Sequence, residues 1–105
     1  MKVFAVESSC DDTSVAVVDD KKKIFFHEVI NHRYLHKNYG GVIPEIAARQ
    51  HLDCLNTLKK LIEKINFKYI DAIAATYGPG LIGSLIVGSS FAKGLALSKQ
   101  KRIIP

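Results

Sequence analysis

The sequence predicts one α/β domain on a mixed sheet, with its elements in the order βββαβαβ. Three observations carry this reading. The chain opens with short runs rich in Val and Ala, bounded by polar clusters. The first three runs are joined by loops too short for a crossover, so they pair antiparallel. The later runs are separated by long stretches with helical periodicity, which can cross over and return the chain parallel to its start with right-handed connections.

Residues 2–6 and 13–19 read as the first two strands, and Asp19-Asp20-Lys21-Lys22 is a turn signal before a third, Lys23 to Ile30. Residues 31–41, NHRYLHKNYGG, read as a polar connection. Pro44 suits the first turn of a helix, and Leu55, Leu58, Ile62 and Ile65 continue a helical stripe that Asn66 would stop. Tyr69 to Thr76 reads as a fourth strand, broken by Gly78-Pro79-Gly80. Leu81 to about Ser98 then reads as a helix apolar nearly all round, and so sandwiched, with small residues at Gly80, Ser84 and Gly88 that let another backbone approach. Arg102 to Pro105 begins a fifth strand that is cut off. A meander running into α/β units in one sheet, with helices on its faces, is the RNase H-like arrangement of the actin, hexokinase and Hsp70 nucleotide-binding lobes.

A length of 105 residues suits a single domain, residues 1–105. Apolar residues are 48% and charged residues 24%, within the range of a water-soluble domain. The net charge of +5 and pI of 9.3 fit either a nucleic-acid partner or a mildly basic solvated surface. Cys10 and Cys54 do not form a CxxC or a disulfide framework, and no signal peptide is visible, so a cytoplasmic location is expected. The tract from Leu81 to Leu97 is interrupted by Lys93 and three serines and reads as a buried helix rather than a membrane span.

Four stretches could carry chemistry. Glu7 to Ser14, ESSCDDTS, holds three carboxylates, four hydroxyls and a thiol at a strand end where ligands of such sheets collect. Its backbone N–H groups with Ser8, Ser9 and Thr13 could cradle a phosphate, while Asp11 and Asp12 could hold Mg²⁺ through its waters. An Asp-rich hairpin turn explains the same composition. The run YGPGLIGS, Tyr77 to Ser84, sets Gly78 and Gly80 before a helix N-terminus that favours an anion, although it matches neither a P-loop nor GxGxxG; a Gly-Pro turn with close helix packing is the plainer account. His32 and His36 have the i, i+4 spacing of metal ligands but lie in a stretch that does not read as helical. Glu45 and Arg49, with His51 nearby, are either a surface ion pair or a contact to substrate or RNA.

ESSCDDTSVAVVD, LHKNYGGVIPEIAARQH and YGPGLIGSLIVGSSFAKGLAL, in this order, resemble the N-terminal part of the TsaD family. These are the tRNA N6-adenosine threonylcarbamoyltransferases, called Kae or Qri in other lineages and formerly described as O-sialoglycoprotein endopeptidases. The paralogue TsaB shares the GPG-helix element but not the other two.

The resemblance implies an actin-like, bilobal protein that moves threonylcarbamoyl from threonylcarbamoyl-adenylate to N6 of A37 in tRNA. It implies an iron or zinc ion, a TsaB-like partner with further subunits of the same complex, and tRNA. It places Ser8, Ser9, Cys10 and Thr13 with Gly78 and Gly80 on the nucleotide or adenylate cleft. Asp11 and Asp12 become the local acidic groups of catalysis, Asp12 at a position where the family often has Glu. Tyr39, Gly40, Gly41, Pro44, Glu45, Arg49 and His51 fall on the second motif, the last three as substrate or RNA contacts. The family's metal ligands, a His-x₃-His pair and a later Asp, lie beyond Pro105, so no metal site is expected here and His32 and His36 are not that pair. The chain is therefore expected to be an N-terminal lobe portion, inactive and without bound cofactor on its own. The rival reading is a non-catalytic module that binds the TsaB-like partner or dimerises through helices 44–65 and 81–98. A glycoprotease is the weakest reading, because no Ser/His/Asp set is apparent and HExxH is absent.

Overall fold

The computed structural model describes residues 1–9, 12–31, 49, 51–52 and 54–105. Its elements are β1 (Lys2–Glu7), β2 (Asp12–Asp19), β3 (Ile24–Asn31), α1 (Leu55–Ile62), a 3₁₀ turn (Phe67–Tyr69), β4 (Ala72–Ala75), α2 (Ile82–Lys99) and β5 (Arg102–Ile104). The five strands form one sheet in the order β3-β2-β1-β4-β5. β1 pairs antiparallel with β2, and β2 with β3, as loops this short demand. β1 and β4 are parallel, as are β4 and β5.

Register decides which side chains are buried. Phe4 lies opposite Val17 and Ile73, and Val6 opposite Val15 and Ala75. These six share one face of the pleat and join Leu58 of α1 and Ala92 and Ala96 of α2 in a single core. Both described helices therefore pack on the same face of the sheet. The other face presents Ala5, Ala16 and Ala74 in a row, beside Glu7, Ser14 and His27, around a shallow pocket of about 280 Å³.

Two boundaries depart from the sequence reading. α1 ends at Ile62, not near Ile65, because Lys64 and Ile65 donate to the carbonyls three residues back and tighten the last turn. The expected strand from Tyr69 starts only at Ala72. Asn66 accepts the Lys68 N–H at 3.1 Å and starts a 3₁₀ turn, which buries Phe67 against Phe4 with ring centroids 5.5 Å apart. Of the expected helical stretch from Pro44, Arg49, His51 and Leu52 are helical, and 41–48, 50 and 53 lie outside the described residues.

α2 is not sandwiched. It buries its small side, Ser84, Gly88, Ala92 and Ala96, together with Leu85. Its large apolar residues Ile82 and Leu97 are 76% and 83% exposed, and Ile86 stands out beside them. The sheet sets this choice: a helix lying close to β1 needs small residues at the contact. Among the described residues no helix is long and apolar enough to cross a membrane.

The two ends of the sheet differ in charge. The end where β1, β4 and β5 begin carries Lys2, Lys21, Lys22, Lys23, Lys64, Lys68, Lys99, Lys101 and Arg102 against Asp19, Asp20, Glu63 and Asp71. The end where those strands finish carries the loops described next, with Glu7 and Asp12.

Candidate functional site

β1 and β4 run parallel and finish side by side, so the segments that leave them must diverge at one edge. The loop after β1 and the Gly78-Pro79-Gly80 turn after β4 meet there. The Leu81 N–H donates to the Ser9 carbonyl at 2.7 Å, and the Thr76 N–H to the Val6 carbonyl at 3.1 Å. The loop is thus tied by its backbone to the entry of α2.

Side chains complete the tie. The Ser8 hydroxyl, buried to 2%, donates to the Ser84 carbonyl in the first turn of α2 at 2.8 Å. Gly88 makes this possible. A Cβ built there would lie 2.0 Å from Ser8 Oγ and 2.9 Å from Ser8 Cβ. Gly80 serves the same end, since a Cβ there would fall 2.6 Å from both Cβ and the carbonyl oxygen of Ser9. The spacing of Gly80, Ser84 and Gly88 had signalled a close backbone approach, and the approaching backbone is the chain's own first loop. Gly78 has open space around it.

Glu7 turns its Oε1 onto the Ser9 N–H at 2.6 Å, a loop-holding role the sequence reading did not assign. Across the hairpin, Thr13 is buried to 2% and hydrogen-bonds through Oγ1 to Nδ1 of His51, buried to 1%. His51 therefore ties its helical segment to β2 instead of lying on the surface as a substrate contact would, while Arg49 is exposed. Asp12 opens β2 and is half-buried, with Oδ1 shielded from solvent. Cys10, Asp11, His32, His36 and the second motif from Tyr39 to Glu45 lie outside the described residues.

α2 points its N-terminus at this edge. Its Leu81 N-cap makes no side-chain capping bond and its first turn holds no acidic residue, so the positive end of the helix is left for an anion. Among the described residues, no three of His, Cys, Asp and Glu gather closely enough to hold a metal ion. Glu7 and Asp12 alone do not make a metal centre.

With this geometry, residues 23–105 match the family described as TsaD, tRNA N6-adenosine threonylcarbamoyltransferase. The chain belongs to the TsaD family. It is 51% identical over 108 residues to the tRNA N6-adenosine threonylcarbamoyltransferase of Fusobacterium nucleatum, a match that covers all of this chain and 32% of the relative. The enzymes of the same description from Buchnera aphidicola and Thermotoga neapolitana are 46% and 45% identical, again over 32% of their length. The chain thus spans about a third of the curated TsaD relatives it matches.

Among solved structures, YeaZ from Pseudomonas aeruginosa superposes with a TM-score of 0.67 at 20% identity, over 99% of this chain and 43% of that one. Thermus thermophilus RuvC in complex with a Holliday junction substrate superposes at 0.51 and 14% identity, over 98% of this chain and 62% of that one. At such identities these two bear on the fold alone, which is the RNase H-like, actin-like one expected from the element order.

Proposed function

We propose that this chain builds one wall of the reaction cleft of a tRNA threonylcarbamoyltransferase. In this reading the acyl donor is threonylcarbamoyl-adenylate and the acceptor is N6 of A37 in tRNA. The observation that carries it is the docked pair of segments at the β1 and β4 ends, which holds Ser8 and Ser9 against the N-terminal turn of α2, a helix with no side-chain N-cap, in a chain of this family. The helix end and the open Gly78 would receive the adenylate phosphate. Ser8, Thr13 and His51 would hold the loop in place. Asp12, with Asp11, would supply negative charge or accept the amine's proton as N6 attacks the carbamoyl carbon, the bond from that carbon to the phosphate oxygen breaks and AMP leaves. An iron or zinc ion would polarise the reacting groups when bound, and the described residues do not form its site. The rest of the relatives' length would supply that ion's ligands and the opposite wall of the cleft.

The test joins this chain to the remaining two thirds of a relative and measures threonylcarbamoyl transfer to tRNA, with and without Asp12→Ala. Loss of transfer with the fold retained is expected. Unchanged transfer would remove Asp12 from the chemistry.

A second reading is favoured by the exposed apolar side of α2. Ile82, Ile86 and Leu97 stand on it with Gly94, beside which 4 Å of space is open. That face would dock a TsaB-like paralogue or a second copy of this chain. Sedimentation of the chain alone and with such a partner distinguishes the two: a monomer that ignores the partner counts against this reading.

A further inference from the structure

The positive charge of the described residues gathers at the end of the sheet remote from the candidate cleft. The turn between β2 and β3, the segment before β4 and the start of β1 converge there around a pocket of about 260 Å³, lined in part by Lys2, Phe25, Lys64 and Tyr69. We propose that Lys2, Lys23, Lys64 and Lys68, framed by Phe25 and Tyr69, form a contact site for the phosphodiester backbone of RNA, separate from the cleft. The proposal rests on the family reading only in choosing RNA among polyanions.

The ammonium groups are not spent inside the protein. Among the described residues the one ion pair is the N-terminus with Asp20. The carboxylates nearby turn to the backbone: Asp19 Oδ1 accepts the N–H groups of Lys21 and Lys23 at 2.9 Å each, and Asp71 accepts that of Lys2 at 2.7 Å. Three of the four lie against aromatic rings instead. Lys2 Nζ is 4.1 Å from the Phe25 centroid and 5.9 Å from that of Tyr69, Lys23 is 4.9 Å from Phe25, and Lys68 is 6.0 Å from Tyr69. A ring holds an ammonium in position while leaving its N–H donors free.

Phe25 and Tyr69 are 42% and 61% exposed beside these cations. A surface that alternates cations with open rings matches a strand that alternates phosphates with bases, whereas an acidic peptide would use only the cations.

The experiment follows the fluorescence anisotropy of a labelled, unmodified tRNA transcript titrated with the 105-residue chain across a salt series, with circular dichroism to check folding. Affinity should fall steeply with salt. Lys64→Ala with Lys68→Ala should flatten the slope of log K against log salt by about 1.5 to 2. Tyr69→Leu should weaken binding about fivefold or more with the slope unchanged. Lys93→Ala, beside Tyr77 and away from this end, should alter neither. The proposal is overturned if the chain does not bind the transcript, if the double substitution leaves the slope as it was, if Lys93→Ala has the same effect, or if polyglutamate competes as well as single-stranded RNA. The transferase reading is judged separately by product formed in the joined protein, so either can fail while the other stands.

Discussion

Gly88→Ala and Gly94→Ala make the same change twice in one helix and should have opposite signs. Alanine favours a helix interior over glycine by about 1 kcal/mol, so without a tertiary contact both would stabilise. At Gly94 nothing lies within 4 Å of the added Cβ, and the variant should gain about 0.5–1 kcal/mol. At Gly88 the added carbon meets Ser8 Oγ at 2.0 Å and Ser8 Cβ at 2.9 Å. Rotating the hydroxyl away relieves the first clash but breaks its bond to the Ser84 carbonyl, which costs about 1 kcal/mol. The second clash involves Cβ and can be relieved only by moving the loop or the helix, an overpacking cost of about 1–3 kcal/mol. After the propensity gain, Gly88→Ala should lose about 2 kcal/mol, or a Tm lower by about 10 °C in a domain this size. Thermal and urea denaturation followed by circular dichroism measure both variants. Ser8→Gly removes both clashing atoms, so the double variant should recover stability beyond the sum of the singles. Equal effects at the two glycines, or an additive double variant, would refute the docking of the first loop on α2.

Three other perturbations test neighbouring claims. Thr13→Val preserves shape but takes the hydroxyl from the buried His51 ring, and should cost about 1–3 kcal/mol in urea denaturation, more than Thr13→Ser does. Asp71→Ala removes the acceptor that lets β1 begin at Lys2 and should cost about 1 kcal/mol, while Asp71→Asn, which keeps an oxygen there, stays within about 0.5 kcal/mol of the parent. Ile82→Lys with Leu97→Lys, at positions 76% and 83% exposed, should leave stability within about 0.5 kcal/mol per site yet abolish any association by sedimentation that uses this face of α2.

The topology was legible because local rules force it. Loops of a few residues allow only antiparallel pairing, and the helical stretches allow only crossovers. What composition could not show was which side of α2 would be buried. Its apolar residues lie all round, so hydrophobicity does not choose. Proximity to β1 does, and it selects Ser84, Gly88, Ala92 and Ala96 over the larger Ile82 and Leu97. The late start of β4 was hidden for a similar reason: Tyr69 and Ile70 suit a strand, but burying Phe67 on Phe4 and capping with Asn66 favour a turn.

The hydroxyl-rich loop shows how a correct signal can point to two jobs at once. Its composition suggested either a ligand cradle or a hairpin turn bonded to itself. The structure divides the residues by solvent access. Ser8 and Thr13 are buried, and their hydroxyls are committed to Ser84 and His51, partners 76 and 38 residues away. Neither partner is local, so the hairpin account fails for these two. Neither hydroxyl is free for a phosphate, so the cradle account no longer includes Ser8 or Thr13. The buried pairs hold the backbone of the loop, and alanine or valine at Ser8 or Thr13 would therefore act on the proposed reaction through loop position.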